Sequence, residues 1–172
     1  MNHRLSRRLF LAGSGTTLLL AGCSLTSTLA PIESGTSADM TNQALPLVNK
    51  IRTRQGHSGL FNDPVAANAA RDHAVRMARH GKMRHDLGSD RNFLARMKRL
   101  EVPLPAAENI ATGQDDTRAA VQAWIDSRKH LENMLGEFTG LGVAVARNAG
   151  TDDRPYWAMV LSNSRSGFSL RS

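Results

Sequence analysis

A change of hydrophobic period near residue 138 constrains this chain more than any other feature. Before it, apolar residues recur at helical spacing. After it, "GLGVAVARN" (140–148) alternates and is rich in valine, and "YWAMVLSNS" (156–164) reads as a second strand. "NAGTDDRP" between them is turn chemistry, so the pair is expected to form an antiparallel hairpin. Helices followed by a hairpin point to an α+β domain whose small sheet is covered by helices.

Four helical stretches precede the hairpin. "NQALPLVNKIRTRQG" (42–56) carries apolar residues at 44, 45, 47, 48 and 51 and stops at Gly56, with Pro46 comfortable only in a first turn. Asn62-Asp63-Pro64 is a cap followed by a first-turn proline. The helix it opens lines up Val65, Ala66, Ala69, Ala70, His73, Ala74, Met77 and Ala78 on one stripe and closes at Gly81. "SDRNFLARMKRL" (89–100) predicts a third helix capped by Ser89 or Asp90. "DDTRAAVQAWIDSR" (115–128) predicts a fourth, with acids at its start and Val121, Trp124 and Ile125 turned inward.

The N-terminus has a different composition. "MNHRLSRRLF" is basic and "LAGSGTTLLLAGC" is a short apolar run ending in small residues, so residues 1–22 read as a signal peptide. Ser6-Arg7-Arg8-Leu9-Phe10-Leu11 looks like a twin-arginine export motif, with Ala12 where a lysine often follows. Leu20-Ala21-Gly22-Cys23 resembles a bacterial lipobox, and Cys23 is the only cysteine of the chain. An exported protein with one cysteine has no internal disulfide to form, and lipidation gives that cysteine a use. Acyl chains there would anchor the protein at about 0.8 kcal/mol per buried CH₂. Ser24 after the cysteine, rather than Asp, resembles the outer-membrane sorting choice. Residues 23–40 read as the lipidated cysteine and a Ser/Thr-rich tether spanning roughly 23 Å. Residues 41–172 are one domain's worth of chain.

Losing Arg4, Arg7 and Arg8 with the signal peptide lowers the formal charge from +7 to +4. The remaining basic residues (Arg71, Arg76, Arg79, Lys82, Arg84, Arg91, Arg96, Lys98, Arg99) are scattered, as on solvated helix faces. A nucleic-acid partner is not expected of an exported chain with so few aromatic residues.

"AAENIATG" (106–113) sets an acid and an amide, Glu108 and Asn109, among small and apolar residues. A buried carboxylate without partners is costly, so Glu108 is either at the surface or already paired. Asn109 is expected to bond backbone at the loop it occupies.

Several motifs now stand in one order: "MRH" (83–85), "AAENIATG", "AVQAWIDSRKHLENML" (120–135), "FTGLGVAVA" (138–146) and "YWAMVL" (156–161). The series resembles the CAP superfamily (cysteine-rich secretory, antigen 5 and pathogenesis-related proteins), in its bacterial extracytoplasmic branch, over roughly 43–163. The resemblance implies a three-layer α-β-α sandwich with a small central antiparallel sheet and a polar surface groove. It also implies a Glu and a His facing each other across that groove, at Glu108 and His85. The family's second acid falls on Ser127 and its second histidine on Tyr156, while the bacterial branch's other histidine falls on His130, with Asn133 three residues on.

The chemistry of that half-site stays open between two readings. His85, Glu108 and His130 could hold a Zn²⁺ with water in an open position, Glu108 then acting as general base of a metal-dependent hydrolase or protease. They could equally be a hydrogen-bonded strut tying a loop to two helices. Arg128 and Lys129 stand where the branch commonly has Pro-Gly, and Arg84 replaces a small residue. Added positive charge disfavours a cation. His73 is expected to be a hydrogen-bonded core histidine, Trp124 and Trp157 core, and His57 and His80 exposed. No H-E-x-x-H or G-x-S-x-G pattern is present. The expected protein is therefore a lipid-anchored, extracytoplasmic binding or envelope-interaction module without a cofactor, Zn²⁺ being the one candidate. Its expected partners are the membrane, through Cys23, and a small apolar ligand, envelope component or protein. Its expected place is the cell envelope, at the outer membrane or periplasmic face if the cell is Gram-negative.

Overall fold

Two seven-residue strands are buried at every position and form the centre of the sheet. They are β4 (Gly140–Ala146) and β5 (Tyr156–Ser162), paired antiparallel from Gly140↔Ser162 to Ala146↔Tyr156. This is the expected hairpin, with a short 3₁₀ turn at Ala149–Thr151 in its connection. The computed structural model describes residues 36–88 and 92–164. The expected signal peptide, Cys23 and most of the tether lie outside them.

The sheet is wider than the hairpin. β3 (Ala106–Thr112) pairs antiparallel with β5, and β1 (Ser37–Asp39) pairs antiparallel with β4. β2 (Phe61–Asn62) adds a two-residue parallel pairing to β4, and the main order is β1-β4-β5-β3. Two expectations are corrected here. "AAENIATG" is a strand rather than a loop. The tether ends before residue 40, because residues 37–39 belong to the sheet and Met40 is buried, its N–H bonded to Val143 O at 2.8 Å.

Helices cover both faces, as the expected three-layer sandwich requires. On one face lie α1 (Thr41–Arg54), α4 (Thr117–Asp126) and α5 (Arg128–Met134), closing a core of Val48, Trp124, Leu141, Val143, Trp157 and Met159. Both tryptophans are core residues, as expected. On the other face lie α2 (Pro64–His80) and α3 (Phe93–Arg99), over Ile110, Ala144, Ala158 and Val160.

Local chemistry sets the helix ends. Asp63 accepts from Val65 N, Pro64 takes the first position, and Gly81 stops α2 at φ 60, as anticipated. α1 starts one residue early, so Pro46 sits in its second turn, where it has no N–H to donate along the helix. The third helix is shorter than expected and is capped by Asn92, whose Oδ1 accepts from Leu94 N at 2.8 Å. Ser89 and Asp90 lie outside the described residues. The fourth helix is capped by Asp116 and breaks at Ser127, whose backbone is extended (φ −97, ψ 112), and α5 follows.

α2 lies almost on the sheet because both surfaces are stripped of side chain. Its alanines face Gly142, Ala144 and Ala146 of β4, and a Cβ on Gly142 would sit 2.0 Å from Ala67 N. That approach brings the middle of α2, and His73 with it, close to the sheet.

Candidate functional site

Neighbours on a strand point to opposite faces, and this resolves the acid–amide pair. Glu108 points into the α2/α3 layer and Asn109 into the α5 layer. Asn109 Nδ2 donates to His130 O at 3.0 Å, and Asn133 Nδ2 donates to Asn109 Oδ1 at 2.9 Å. Asn109 thus bonds backbone as expected, but across to α5 and from a strand. One dipeptide holds helices on both sides of an edge strand.

Glu108 is almost sealed from water, and each of its oxygens has a partner. Its Oε2 accepts from Arg96 Nη2 of α3, a side chain with no exposed surface. Its Oε1 lies 2.8 Å from His85 Nδ1 and 3.5 Å from Nε2 of the buried His73. Burial pushes the Glu108 carboxyl up. The His85 hydrogen bond and the positive charges around it more than offset this, and the group ends below the usual carboxylate range. An ionised carboxylate only accepts, so His85 Nδ1 carries the proton and its Nε2 is left free for other partners. The His85 side chain is 53% exposed. Arg96 also reaches the His85 carbonyl at 2.9 Å, so one guanidinium fixes both the acid and the loop that bears the histidine.

Arg96 is the residue that reading the sequence misses. The pattern sets it among charges on solvated faces, yet it is fully buried, with its guanidinium 5.6 Å from the Phe93 ring centre. The signal that could have found it is the carboxylate itself: a buried Glu108 requires a cation on the facing layer. His73 is buried as expected. Neither of its ring nitrogens has a hydrogen-bond partner, which departs from the bonded core histidine anticipated. Burial lowers its pKa to about 4 against the pull of Glu108, and Arg96 and His85 add to the lowering.

The other expected site residues divide. His130 and Asn133 share with His85, Glu108 and Lys129 the wall of one cleft of about 350 Å³. Burial, helped by His85 and Lys129, lowers the His130 pKa. Ser127 sits at the α4–α5 break, where its side chain caps nothing. Tyr156 pairs with Thr112, four residues along the sheet from Glu108, or roughly 13 Å. It lines a separate cavity with Thr151 and Arg154. Tyr156 therefore does not meet Glu108. Of the other histidines, His80 is exposed and His57 is half-buried, 3.9 Å from Glu137.

Among the described residues, no group of three His, Cys, Asp or Glu is placed to hold a metal ion. Both oxygens of Glu108 are engaged, one of them by a buried cation.

Comparison with known proteins agrees with this architecture. The family model of the cysteine-rich secretory protein family, CAP, matches residues 45–161. A curated relative, the uncharacterized membrane protein YlbC of Bacillus subtilis (strain 168), is 32% identical over 113 residues, which is 64% of this chain and 33% of that protein. The chain thus spans about a third of that relative's length. An extracellular protein containing an SCP domain from Bacillus anthracis str. Ames superposes with a TM-score of 0.62 at 31% identity, over 72% of this chain and 40% of that one. An outer surface protein from Borrelia burgdorferi shares the fold, with a TM-score of 0.64 at 17% identity over 76% of this chain and 99% of that one. The family model spans more than half of the chain, from α1 to the end of β5, and the chain belongs to the cysteine-rich secretory protein (CAP) family.

Proposed function

We propose that the protein is a non-catalytic CAP domain, held at the cell envelope by lipid on Cys23, that binds a ligand or partner in the cleft beside His85. The observation that carries this reading is the engagement of both Glu108 oxygens. A general base needs a lone pair aimed at its substrate, and a metal ligand needs an oxygen open to the metal. Glu108 is 2% exposed, with Arg96 on one oxygen and His85 on the other, so little of either is open to a substrate or a metal. It works as a strut that fixes the cleft wall. Export and an envelope location are supported by the names of similar proteins, which are described as extracellular, outer-surface or membrane proteins. Among the described residues no helix is long and apolar enough to cross a membrane, so on this reading attachment falls to Cys23.

One geometric feature favours a second reading. His85 Nδ1 is tied to a carboxylate with Nε2 free, the orientation of a histidine whose acid partner stands behind it in a metal centre. Elemental analysis of the purified full chain, with His85→Ala alongside, separates the two. We expect zinc well below one equivalent in both proteins. Near-stoichiometric zinc that disappears in His85→Ala would establish the hydrolase reading instead. Glu108→Ala should lower the melting temperature; an unchanged melting curve would remove the strut.

A further inference from the structure

We propose that the cleft beside Glu108 binds a small organic anion, a phosphate ester or a carboxylate, through Lys129 and His130, with the short apolar part of the ligand against Phe93. The proposal rests on the strut reading, because a Glu108 with an unbalanced charge would repel an anion.

Charge sets the class of ligand. Among the described residues Glu108 is the only acid lining the cleft, and its charge is met by Arg96 behind it, both out of water. Around the opening stand an exposed lysine, Lys129, and two imidazoles. The nearest acids in sequence are engaged elsewhere: Glu132 accepts from Arg128 at 2.9 Å, and Asp86 accepts from Arg84 at 2.9 and 2.8 Å.

Size sets the rest. A cleft of about 350 Å³ holds roughly a dozen water volumes, and so a ligand of about a dozen non-hydrogen atoms. A phosphate or carboxylate on a chain of a few carbons fits, with Phe93, Ala106 and Ala107 as the apolar wall. A four-ring sterol or a long acyl chain would extend beyond it.

Isothermal titration of the full chain in nonionic detergent tests this, with n-butyl phosphate, butyrate and inorganic phosphate as probes. We expect one saturable site, n-butyl phosphate binding more tightly than inorganic phosphate. Lys129→Gln should weaken it roughly tenfold, as loss of one charge-assisted hydrogen bond does. Arg118→Gln, an exposed arginine on α4, should leave binding unchanged. Absence of saturable binding, an unaffected Lys129→Gln protein, or equal weakening in both variants would overturn the proposal. Vesicles containing an anionic phospholipid identify the source: displacement of n-butyl phosphate assigns the site to a lipid headgroup, and undisturbed binding assigns it to a free ester or acid. Zinc content and the Glu108→Ala melting curve do not enter this titration, so failure of the strut and failure of the anion site are seen separately.

Discussion

Arg96 and Glu108 form an ion pair closed off from water, with side-chain exposures of 0% and 2%, and the pair joins α3 to the edge strand β3. Such a pair does little for stability against an apolar replacement, but removing one member leaves a buried charge alone. Arg96→Ala should therefore cost about 3–5 kcal/mol in urea unfolding, a large share of the roughly 5–15 kcal/mol that holds a domain together. The double change Arg96→Met with Glu108→Leu should regain most of that loss. A loss under about 0.5 kcal/mol in Arg96→Ala would mean that water reaches Glu108 in solution.

His73 predicts the acid limb of stability. In the folded protein its pKa falls to about 4 from an ordinary 6.5, so between these values the unfolded chain takes up a proton that the folded chain refuses. Stability therefore declines as pH drops below 6.5 and stops declining on this account near 4. At 1.36 kcal/mol per pH unit the full loss is about 3 kcal/mol. The lowered Glu108 pKa has the same sign: its contribution is present above the ordinary carboxylate value and is lost as pH falls through the folded one. His73→Gln should flatten the decline between pH 6.5 and 4 and leave the lower part. A slope identical to that of the unmodified protein would place the titrating group elsewhere.

The helices and hairpin are legible because their polar and apolar residues repeat at one period. β3 is not, because its two central polar residues face different helical layers and each finds its partners there. Glu108 takes Arg96 and His85, and Asn109 takes Asn133 and the His130 carbonyl, so neither face of the strand alternates. The demand of Glu108 for partners can be read, but not which of the scattered basic residues would answer it. Arg96 follows Phe93 and Leu94 in a stretch that looks like any solvated amphipathic helix. Positions carried over by resemblance fare according to backbone. His85, His130 and Asn133 reach the cleft, whereas the sheet register carries Tyr156 to its other end.

Gly142→Ala tests how far the site depends on the close contact of α2 with β4. The added methyl would meet Ala67 N at 2.0 Å and Ala66 C at 2.2 Å, both backbone atoms of a helix that cannot move singly. Overpacking of this kind costs about 1–3 kcal/mol. The helix must lift, and His73 with it, away from Glu108. We expect a lower melting temperature together with a return of the His73 pKa toward its ordinary value, read from the imidazole proton shifts in an NMR pH titration. A lowered melting point with the His73 titration unmoved would show that the strain is absorbed near residues 66 and 67.

On the lipobox reading anchoring and folding are separable. Among the described residues both cores are built from positions between Ala38 and Leu161. Cys23→Ala should leave the protein unprocessed or in the soluble fraction after cell fractionation, with the urea midpoint of the purified domain unchanged. Membrane-bound Cys23→Ala protein would remove the lipobox reading. Replacing Arg7 and Arg8 together by lysine then asks how the chain leaves the cytoplasm. A twin-arginine substrate should accumulate inside the cell because that route reads the guanidinium pair, while an ordinary secretory signal needs only positive charge before its apolar run. Retained export of the double-lysine chain with normal processing at Cys23 would assign the ordinary route and leave the anchor as proposed.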